Sequence, residues 1–273
     1  MVKILGILNL TRDSFSDGGE YLDPQRAIAH AEQLTRDGAW AIDVGAQSTH
    51  PDAEPISADQ EIARLEPVVP ILKQRGLRVS VDTYRPAVMR KALKWGVDLI
   101  NDVTGMRDAE SVSAVRSAAC RLVVMHSRSS GARAERMEAE PGELVNAMIA
   151  FFSERVGTLT TAGIDRDRLI LDPGMGFFLG SNPQASFTVL RELPRLRALG
   201  LPLLVSTSRK SFIGAALANN DEPRPTAERG AGTLATELWA ALQGVQYLRT
   251  HDVRALRDGL MMVERISHCD PDG

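Results

Sequence analysis

The sequence predicts a single domain over residues 1–273 with the fold of a (β/α)₈ (TIM) barrel. Its length of 273 residues suits a fold that typically needs about 250 residues. Short apolar runs alternate with longer helical patterns from one end of the chain to the other. The apolar runs are rich in Val, Ile and Leu without alternating with polar residues, as parallel strands buried on both faces require.

Eight such runs predict eight strands, at residues 4–8, 40–44, 79–81, 99–100, 122–125, 169–171, 203–205 and 247–248. Eight βα units in a chain of this length favour a closed barrel. An open, doubly wound sheet is the alternative that this pattern leaves.

The helical patterns between the strands predict helices at residues 25–36, 58–74, 86–95, 142–162, 226–243 and 253–266. Ser57 and Gln60 have the spacing of a capping box, and Asp252 is a predicted N-cap. Pro67 and Pro70 fall inside the second predicted helix, where a proline removes a backbone hydrogen bond, so the course of that helix is not defined.

The amino-acid composition limits which kinds of macromolecule the protein is expected to bind. The formal net charge of −3 argues against nucleic acid or an anionic membrane as the main partner. Cys120 and Cys269 are too few and too far apart to indicate a disulfide framework or a zinc site. The apolar stretch at the N-terminus is too short for a signal peptide or a membrane span, so we expect a soluble, cytoplasmic protein.

Polar residues follow, or nearly follow, all of the predicted strands: Asn9, Asp43, Asp82, Asn101, His126, Asp172, Ser206 and Arg249. In a barrel, the carboxyl ends of the strands form the rim where active sites are built. One such residue alone would be a turn residue or a helix cap, but eight together indicate a binding site. The long polar segments after strands one, two and five are consistent with loops that close over a substrate, or with surface loops without a function.

The segment STSRKSF follows the seventh strand. Ser206 or Ser208 is predicted to cap the next helix, which would place Arg209 and Lys210 in its first turn. Positive charges there oppose the helix dipole, so their presence favours a site for an anionic ligand over a solvated charged face.

Arg249 and His251 lie two residues apart at the eighth strand, so in an extended backbone their side chains point the same way. Barrels commonly bind phosphate at this part of the rim. The pair therefore indicates a phosphate or diphosphate contact, whereas a lone buried histidine would be structural.

Asp82, Asn101 and Asp172 come from three different strands. Two carboxylates and an amide in a barrel mouth suit a flat heterocycle with amidine-like N–H donors and a carbonyl. Buried carboxylates need a partner, which a ligand or Lys210 would supply; an internal salt-bridge network is the alternative. The sequence has no histidine cluster for a metal, nucleophile elbow, P-loop or dinucleotide fingerprint.

Eight ordered segments resemble the successive motifs of the dihydropteroate synthases: GILNLTRDSFSDGG, IDVGAQSTHPDA, VSVDTYRPAVM, INDVTG, VVMHS, LDPGMGF, STSRKSFIG and LRTHD. DPGMGFF and THPDA are most similar to the acquired, sulfonamide-tolerant branch. The resemblance implies a barrel enzyme that joins a dihydropterin diphosphate to 4-aminobenzoate, works with Mg²⁺ and forms a homodimer.

The resemblance also assigns the site residues. It implies that the pterin ring is held by Asp82, Asn101, Asp172 and Lys210, with Met125 packed against it. It implies that the diphosphate is bound by Asn9, Arg249 and His251, with Asn9 also meeting the Mg²⁺. It places Thr49, Phe177 and Ser211 at the aminobenzoate, counts His50, Phe178 and Ser208 among the substrate contacts, and makes Lys210, Asp82, Arg249 and His251 catalytic.

The sequence departs from the usual pattern of that family at five positions. Arg12 replaces a proline, Gln47 a glutamate and His50 an arginine, while Phe178 and Leu179 replace a glycine–lysine pair. With His50 in place of the arginine, the sequence does not define whether a charged side chain contacts the diphosphate at this position. Phe178 alters the predicted aminobenzoate pocket.

Two other activities remain compatible with the residues. A barrel methyltransferase that moves a methyl group from a folate to a corrinoid would share the carboxylates and the asparagine, but would not need SRKSF with LRTHD. A non-catalytic pterin-binding barrel is compatible with Gln47 and His50.

Overall fold

The computed structural model describes residues 2–11, 23–47, 54–127 and 141–268. Its sheet has eight strands: β1 (Lys3–Asn9), β2 (Ala41–Gly45), β3 (Val79–Asp82), β4 (Leu99–Asp102), β5 (Arg121–Met125), β6 (Leu169–Asp172), β7 (Leu204–Val205) and β8 (Tyr247–Thr250). All eight predicted strands are present, with shifts of one or two residues at some ends.

The strands are paired in parallel in the order β6-β5-β4-β3-β2-β1-β8-β7. A parallel bridge between Leu171 and Leu203 joins the two ends of that order, and the amide of Leu171 donates to the carbonyl of Pro202 at 2.9 Å. The sheet therefore closes into a (β/α)₈ barrel, and the open sheet is excluded.

The described helices are α1 (Pro24–Arg36), α2 (Ala58–Leu65), α3 (Val69–Gln74), α4 (Pro86–Lys94), α5 (Ala109–Val115), α6 (Pro141–Thr161), α7 (Pro183–Arg191), α8 (Leu193–Arg197), α9 (Ser211–Ala216), α10 (Gly230–Leu242) and α11 (Val253–Ser267). The Ser57–Gln60 capping box is present, and Asp252 accepts a hydrogen bond from the amide of Ala255 at 3.0 Å. Both predicted caps are confirmed.

The predicted helix over residues 58–74 was wrong, because it is two helices. Pro67 lies in the break between α2 and α3, and Pro70 lies in the first turn of α3. A proline lacks the N–H that a helix interior needs, but the first turn leaves that donor unused. The helix predicted from residue 226 begins at Gly230, after a 3₁₀ turn at Thr226–Glu228. No helix was predicted from the sequence at the positions of α5, α7 and α8.

The apolar core has an inner and an outer layer. Alternate strand residues form a cluster inside the barrel towards its amino end: Leu5, Ala41, Leu99, Val123, Ile170, Leu204 and Tyr247. A larger cluster fills the space between the strands and the helices. Since apolar side chains fill the lower barrel, the upper rim is left to polar groups.

Two further sequence expectations concern the membrane and the cysteines. Within the described ranges, no helix has both the length and the apolar character that a membrane crossing requires. Cys120 is a buried free thiol, and Cys269 lies outside the described residues.

Candidate active site

The strand register places four neighbouring residues in one row at the carboxyl rim. Asn9 pairs with Gly45, Gly45 with Asp82, and Asp82 with Asn101. Partners in a parallel register direct their side chains to the same face. A Cβ built on Gly45 would lie 3.8 Å from Asp82 Oδ2 and 4.0 Å from Asn9 Oδ1, so Gly45 leaves space between the two side chains.

Arg249 is bound by two acidic side chains of the barrel mouth. Its Nε donates to Asp43 Oδ2 at 2.5 Å, and its Nη2 donates to Asp82 Oδ2 at 3.1 Å. The Asn101 amide also donates to Asp43 Oδ2, at 3.4 Å. Burial lowers the pKa of Arg249, but the two carboxylates outweigh it, so the net pKa is raised and the guanidinium stays charged. The salt-bridge network that the sequence analysis left as the alternative to a ligand is therefore present in part, through Asp43 and Asp82.

The carboxyl group of Asp82 has a pKa close to neutral pH. Burial raises its pKa to about 7, and the charge of Arg249 opposes the rise. Asp82 thus exchanges its proton more readily than an exposed aspartate does at neutral pH.

Asp172 and Lys210 form the other polar side of the mouth. Burial raises the pKa of Asp172 to about 6 and lowers that of Lys210 to about 8, while each charge opposes the shift of the other. Asp172 Oδ1 accepts the amide hydrogen of Gly174 at 2.8 Å, and Lys210 Nζ donates to the carbonyl of Met175 at 3.1 Å. The loop after β6 is thereby bound to both groups.

That loop depends on Gly174. It has a φ of +68°, and a Cβ there would lie 2.4 Å from the backbone oxygen of His126. Any other residue would collide with the adjacent loop as well as adopt a strained backbone. Glycine at this position therefore lets the β6 loop lie against β5.

An apolar wall completes this side of the mouth. Met125 and Val103 pack with Phe178, and Tyr84 and Phe177 pack against that cluster. The Phe178 side chain is buried, and Lys210 Nζ lies 5.4 Å from its ring centroid. The mouth thus presents polar atoms beside an apolar face, as a flat heterocycle would require.

Ser208 and His251 are in direct contact where β7 and β8 end. Ser208 Oγ lies 2.9 Å from His251 Nδ1, and the His251 amide donates to Ser208 Oγ at 3.2 Å. Burial, followed by the charge of Arg249, lowers the pKa of His251 to about 3, so its imidazole is neutral.

The predicted caps after β7 were wrong. Helix α9 begins at Ser211, with Lys210 at its N-cap position and no side-chain cap. Ser206 Oγ instead donates to the carbonyl of Arg249 at 3.3 Å, and Ser208 contacts His251. Arg209 and Lys210 precede the first turn, because Arg209 has a φ of +58° that no helix continues. Arg209 and Lys210 therefore do not oppose the dipole of α9 from within its first turn.

A cavity of about 280 Å³ lies beside Ser211. Its lining includes Phe177, Ser211, Phe212 and Arg229. Phe178 does not line this cavity, although its neighbour Phe177 does. Thr49, His50 and Arg12 lie outside the described residues.

Two carboxylates organise the rim: the sequence placed Asp43 there without an individual role, and it did not single out Asp102. Asp43 is fully buried, and its Oδ1 has no hydrogen-bond partner among the described residues. Asp102 accepts hydrogen bonds from the Thr104 amide and hydroxyl, both at 2.7 Å, and from the Met106 amide at 2.9 Å, which fixes the β4 loop. Asp43 and Asp102 each lie in a strand that is otherwise mostly apolar, and this was the sequence feature that could have indicated their roles. His126, by contrast, packs its ring against Phe151 at 5.2 Å between centroids.

The described residues contain no group of three His, Cys, Asp or Glu side chains suited to a metal ion. Mg²⁺ needs few protein ligands where substrate phosphates supply oxygen atoms. Asn9 Oδ1 is an oxygen donor of the type that Mg²⁺ prefers, and it faces the same gap as Asp82. These donors fit a metal held mainly by a substrate, and not a closed protein cage.

Comparison with known proteins gives consistent matches. Residues 5–251 match the family model described as pterin binding enzyme. The chain is 46% identical to the dihydropteroate synthase type-3 of Escherichia coli, with 95% of this chain and 97% of that protein covered.

Two solved structures of the Xanthomonas albilineans dihydropteroate synthase have the same fold. The structure with 4-aminobenzoic acid gives a TM-score of 0.89 at 36% identity and covers 98% of this chain and 94% of that one. The structure with 7,8-dihydropteroate gives 0.86 at 34% identity and covers 98% and 95%.

Proposed function

The chain belongs to the dihydropteroate synthases, and we propose that it condenses 6-hydroxymethyl-7,8-dihydropterin diphosphate with 4-aminobenzoate. The products are 7,8-dihydropteroate and diphosphate. The observation that carries this proposal is the convergence of Asp82, Asn101, Asp172 and Lys210 beside the apolar face of Met125 at one barrel rim.

The pterin ring would lie between these polar groups and the apolar wall. The carboxylate of Asp172 would accept the N–H hydrogens of the ring, and the amide of Asn101 can both donate and accept. Asn101 Oδ1 has no hydrogen-bond partner among the described residues, although it is buried. An unsatisfied buried oxygen at this position is explained by a ligand that donates to it.

The diphosphate would bind across Arg249 and His251. The guanidinium of Arg249 has five N–H donors, and the two ion pairs use only two nitrogen atoms, so donors remain for a leaving group. His251 is neutral, so it would contribute an N–H hydrogen bond without adding charge. Ser208 holds its ring by the Nδ1 contact.

The aminobenzoate would bind in the cavity beside Ser211. The ring of Phe177 offers an apolar face, while the Ser211 hydroxyl and the Arg229 guanidinium line the same space. A carboxylate bound there would meet a hydroxyl donor and a positive charge. Thr49 and His50 remain proposed contacts of this substrate.

Mg²⁺ would be held by Asn9 together with the substrate diphosphate, and when bound it neutralises charge on that group. The same row keeps Asp82 beside Asn9. With Asn9 as the proposed protein ligand, the metal would bind together with the substrate diphosphate.

The reaction breaks the bond between the pterin methylene carbon and the diphosphate oxygen. The aniline nitrogen forms the new bond to the methylene and then loses one proton, while the diphosphate leaves with the electron pair. Arg249 and His251 would stabilise the growing charge of the leaving group, which is the electrostatic effect that usually dominates such catalysis. The weakly basic aniline needs no strong general base.

One measurement distinguishes this activity from both rivals. Diphosphate should be released from the pterin substrate only when 4-aminobenzoate is added. A methyltransferase would show no such release, and a non-catalytic barrel would bind the pterin without turnover.

We also infer a homodimer. Apolar side chains are exposed on the adjacent helices α10 and α11: Trp239, Leu242, Met261, Met262 and Ile266. Ile266 is 72% exposed, and such a patch on neighbouring helices is typical of a protein interface. Light scattering should give the mass of a dimer for the wild type and of a monomer for Leu242→Glu with Ile266→Glu.

The remaining expectations stay proposals. The chain is expected to act in the cytoplasm as one domain over residues 1–273, and to tolerate sulfonamides. Tolerance is supported by the DPGMGFF segment, in which Phe178 replaces a glycine, and it is tested below.

A further inference from the structure

The segment after β7 contains one residue in a backbone conformation that most side chains disfavour. Arg209 has a φ of +58°, in the left-handed region, and its side chain is exposed. The Cβ of a non-glycine residue there lies too close to a carbonyl oxygen, so the conformation persists only where the surroundings hold it. Ser208, Lys210 and Ser211 flank Arg209, and all three are proposed to contact substrates. The strained residue therefore lies at the centre of the site.

Helix α10 holds both backbone polar groups of Arg209. The Arg209 amide donates to Thr233 Oγ1 at 3.0 Å, and the Arg209 carbonyl accepts from Arg229 Nη1 at 2.8 Å. Two residues earlier, the buried Thr207 hydroxyl lies 2.9 Å from Thr236 Oγ1. We call the side chains of Arg229, Thr233 and Thr236 the clamp. They come from the N-cap position and the first two turns of one helix, so they hold the segment as a unit.

The clamp is itself fixed by its surroundings. Thr233 is buried, and Arg229 Nε donates to the carbonyl of Arg224 at 2.8 Å. Gly214 of α9 leaves the space that the Arg229 guanidinium occupies, because a Cβ at Gly214 would lie 2.5 Å from Arg229 Nε. Valine has nearly the shape of threonine, so packing alone does not require a hydroxyl at position 233. The hydroxyl of Thr233 is explained by the hydrogen bond that it accepts from Arg209.

The conformation of Arg209 determines where the next two residues lie. The Lys210 amide donates to the Thr207 carbonyl at 3.1 Å, which closes the turn, and α9 begins at Ser211. Lys210 Nζ then donates to the Met175 carbonyl at 3.1 Å. A change of φ at residue 209 rotates the chain that follows it. Lys210 and Ser211 would therefore both move if Arg209 relaxed to an ordinary negative φ.

We propose that Thr233 is a positioning residue, whose hydroxyl, with the rest of the clamp, holds Arg209 at a positive φ and so directs Lys210 and Ser211 to the substrates. The importance of this contact for turnover rests on the proposed function, in which those two side chains meet the pterin and the aminobenzoate. The backbone conformation does not rest on it and can be observed without substrate.

The first test compares two substitutions of the threonine. Thr233→Val keeps the shape but removes the acceptor, whereas Thr233→Ser keeps the acceptor. In Thr233→Val, kcat for diphosphate release should fall about tenfold, the factor by which an unsupported left-handed residue is disfavoured. In Thr233→Ser, kcat should stay at the wild-type level. Circular dichroism and thermal unfolding establish that the compared proteins are folded.

A second pair of variants separates positioning from packing. Arg209→Gly and Arg209→Ala both remove the guanidinium, but only glycine adopts a positive φ without strain. Each is combined with Thr233→Val, and each double variant is compared with its own single variant at position 209. Thr233→Val should lower kcat about tenfold in the alanine background and at most about threefold in the glycine background. A substitution that only loosened the packing of α10 would lower kcat equally in both.

Crystal structures of the substrate-free variants test the backbone directly. In Thr233→Val, residue 209 should leave the left-handed region, and Lys210 Nζ should separate from the Met175 carbonyl. In the double variant with Arg209→Gly, residue 209 should keep its positive φ and Lys210 should keep that contact.

A positive φ at residue 209 with an intact Lys210 contact in Thr233→Val would overturn the clamp. Equal losses of kcat in the glycine and alanine backgrounds, or a changed backbone with wild-type kcat, would overturn the positioning role. A backbone that changes as expected, in a protein whose wild type releases no diphosphate with 4-aminobenzoate, would support the clamp and refute the proposed function. The two failures are therefore distinguishable.

Discussion

Arg249 and Asp82 are joined by an ion pair of 3.1 Å across the barrel mouth. The sequence assigned Arg249 to the diphosphate and Asp82 to the pterin ring, as separate contacts. The ion pair joins the two halves of the site, and the charge of Arg249 opposes the rise that burial imposes on the pKa of Asp82. A change at Arg249 should therefore affect both substrate groups.

Arg249→Ala should lower the free energy of unfolding by about 3 kcal/mol, because it leaves Asp43 and Asp82 buried without a cation. It should also weaken the binding of a pterin without phosphates. The measurements are chemical denaturation and calorimetry. Arg254→Ala, which removes an exposed ion pair with Asp37, is the control and should change the free energy of unfolding far less. Unchanged affinity for the bare pterin would show that the two halves are independent.

His251→Ala should slow the chemical step while leaving the affinity for a phosphate-free pterin unchanged. The imidazole is proposed to contact only the leaving group, whose charge grows in the transition state. Single-turnover kinetics and calorimetry separate the two effects. Loss of affinity for the bare pterin would place His251 elsewhere in the site.

Lys210→Ala should lower turnover by at least about a hundredfold and preserve the fold, since electrostatic groups of this kind contribute that much. Its Nζ contacts the Met175 carbonyl and the ring of Phe178, so it holds the β6 loop in addition to its proposed contact with the pterin. Lys94→Ala, at an exposed position of α4, is the control. Turnover of the wild-type level in folded Lys210→Ala would contradict the assignment.

Asp172→Asn should weaken pterin binding more than aminobenzoate binding, because the amide keeps the shape but loses the charge. The wild type should also lose pterin affinity as the pH falls below about 6, the pKa to which burial raises Asp172. Protonation removes the acceptor, so affinity declines on the acid side and is retained above pH 6. The variant should lack the change near pH 6 and keep only the change that Asp82 causes near pH 7, and calorimetry between pH 5 and pH 7.5 tests both statements.

The barrel could be predicted from the sequence because apolar runs mark the strands, and polar residues directly after those runs mark the rim. It could not give the Arg249–Asp43 contact, since the two residues are distant in the chain and meet only when β1 and β8 pair. Helix α9 starts two to four residues later than predicted, after the positive φ of Arg209. That conformation also depends on tertiary contacts: the Arg209 amide donates to Thr233 Oγ1 at 3.0 Å and its carbonyl accepts from Arg229. Residue identity placed the groups at the rim, but only the fold shows which groups are paired.

Phe178→Gly should increase sensitivity to sulfonamides more than it changes the use of 4-aminobenzoate. A sulfonamide replaces the planar carboxylate of that substrate with a bulkier tetrahedral group, so added aromatic volume near the site can penalise the drug alone. The structure places Phe178 in the apolar wall, with Lys210 over its ring and Lys210 adjacent to Ser211. It would then act through the position of Lys210 and the wall, and not as a lining residue of the cavity.

The alternative is that Phe178 only fills space between Met125 and Val103. Removal of a buried phenylalanine costs about 3–5 kcal/mol, so thermal unfolding must accompany the kinetics. Phe178→Leu keeps most of the apolar volume and is the matched variant. The measurement is the inhibition constant of a sulfonamide beside the KM for 4-aminobenzoate in all three proteins. A selective fall of the inhibition constant in Phe178→Gly, with an intermediate value in Phe178→Leu, supports discrimination. Parallel shifts of the two constants mean that Phe178 shapes the site without distinguishing drug from substrate.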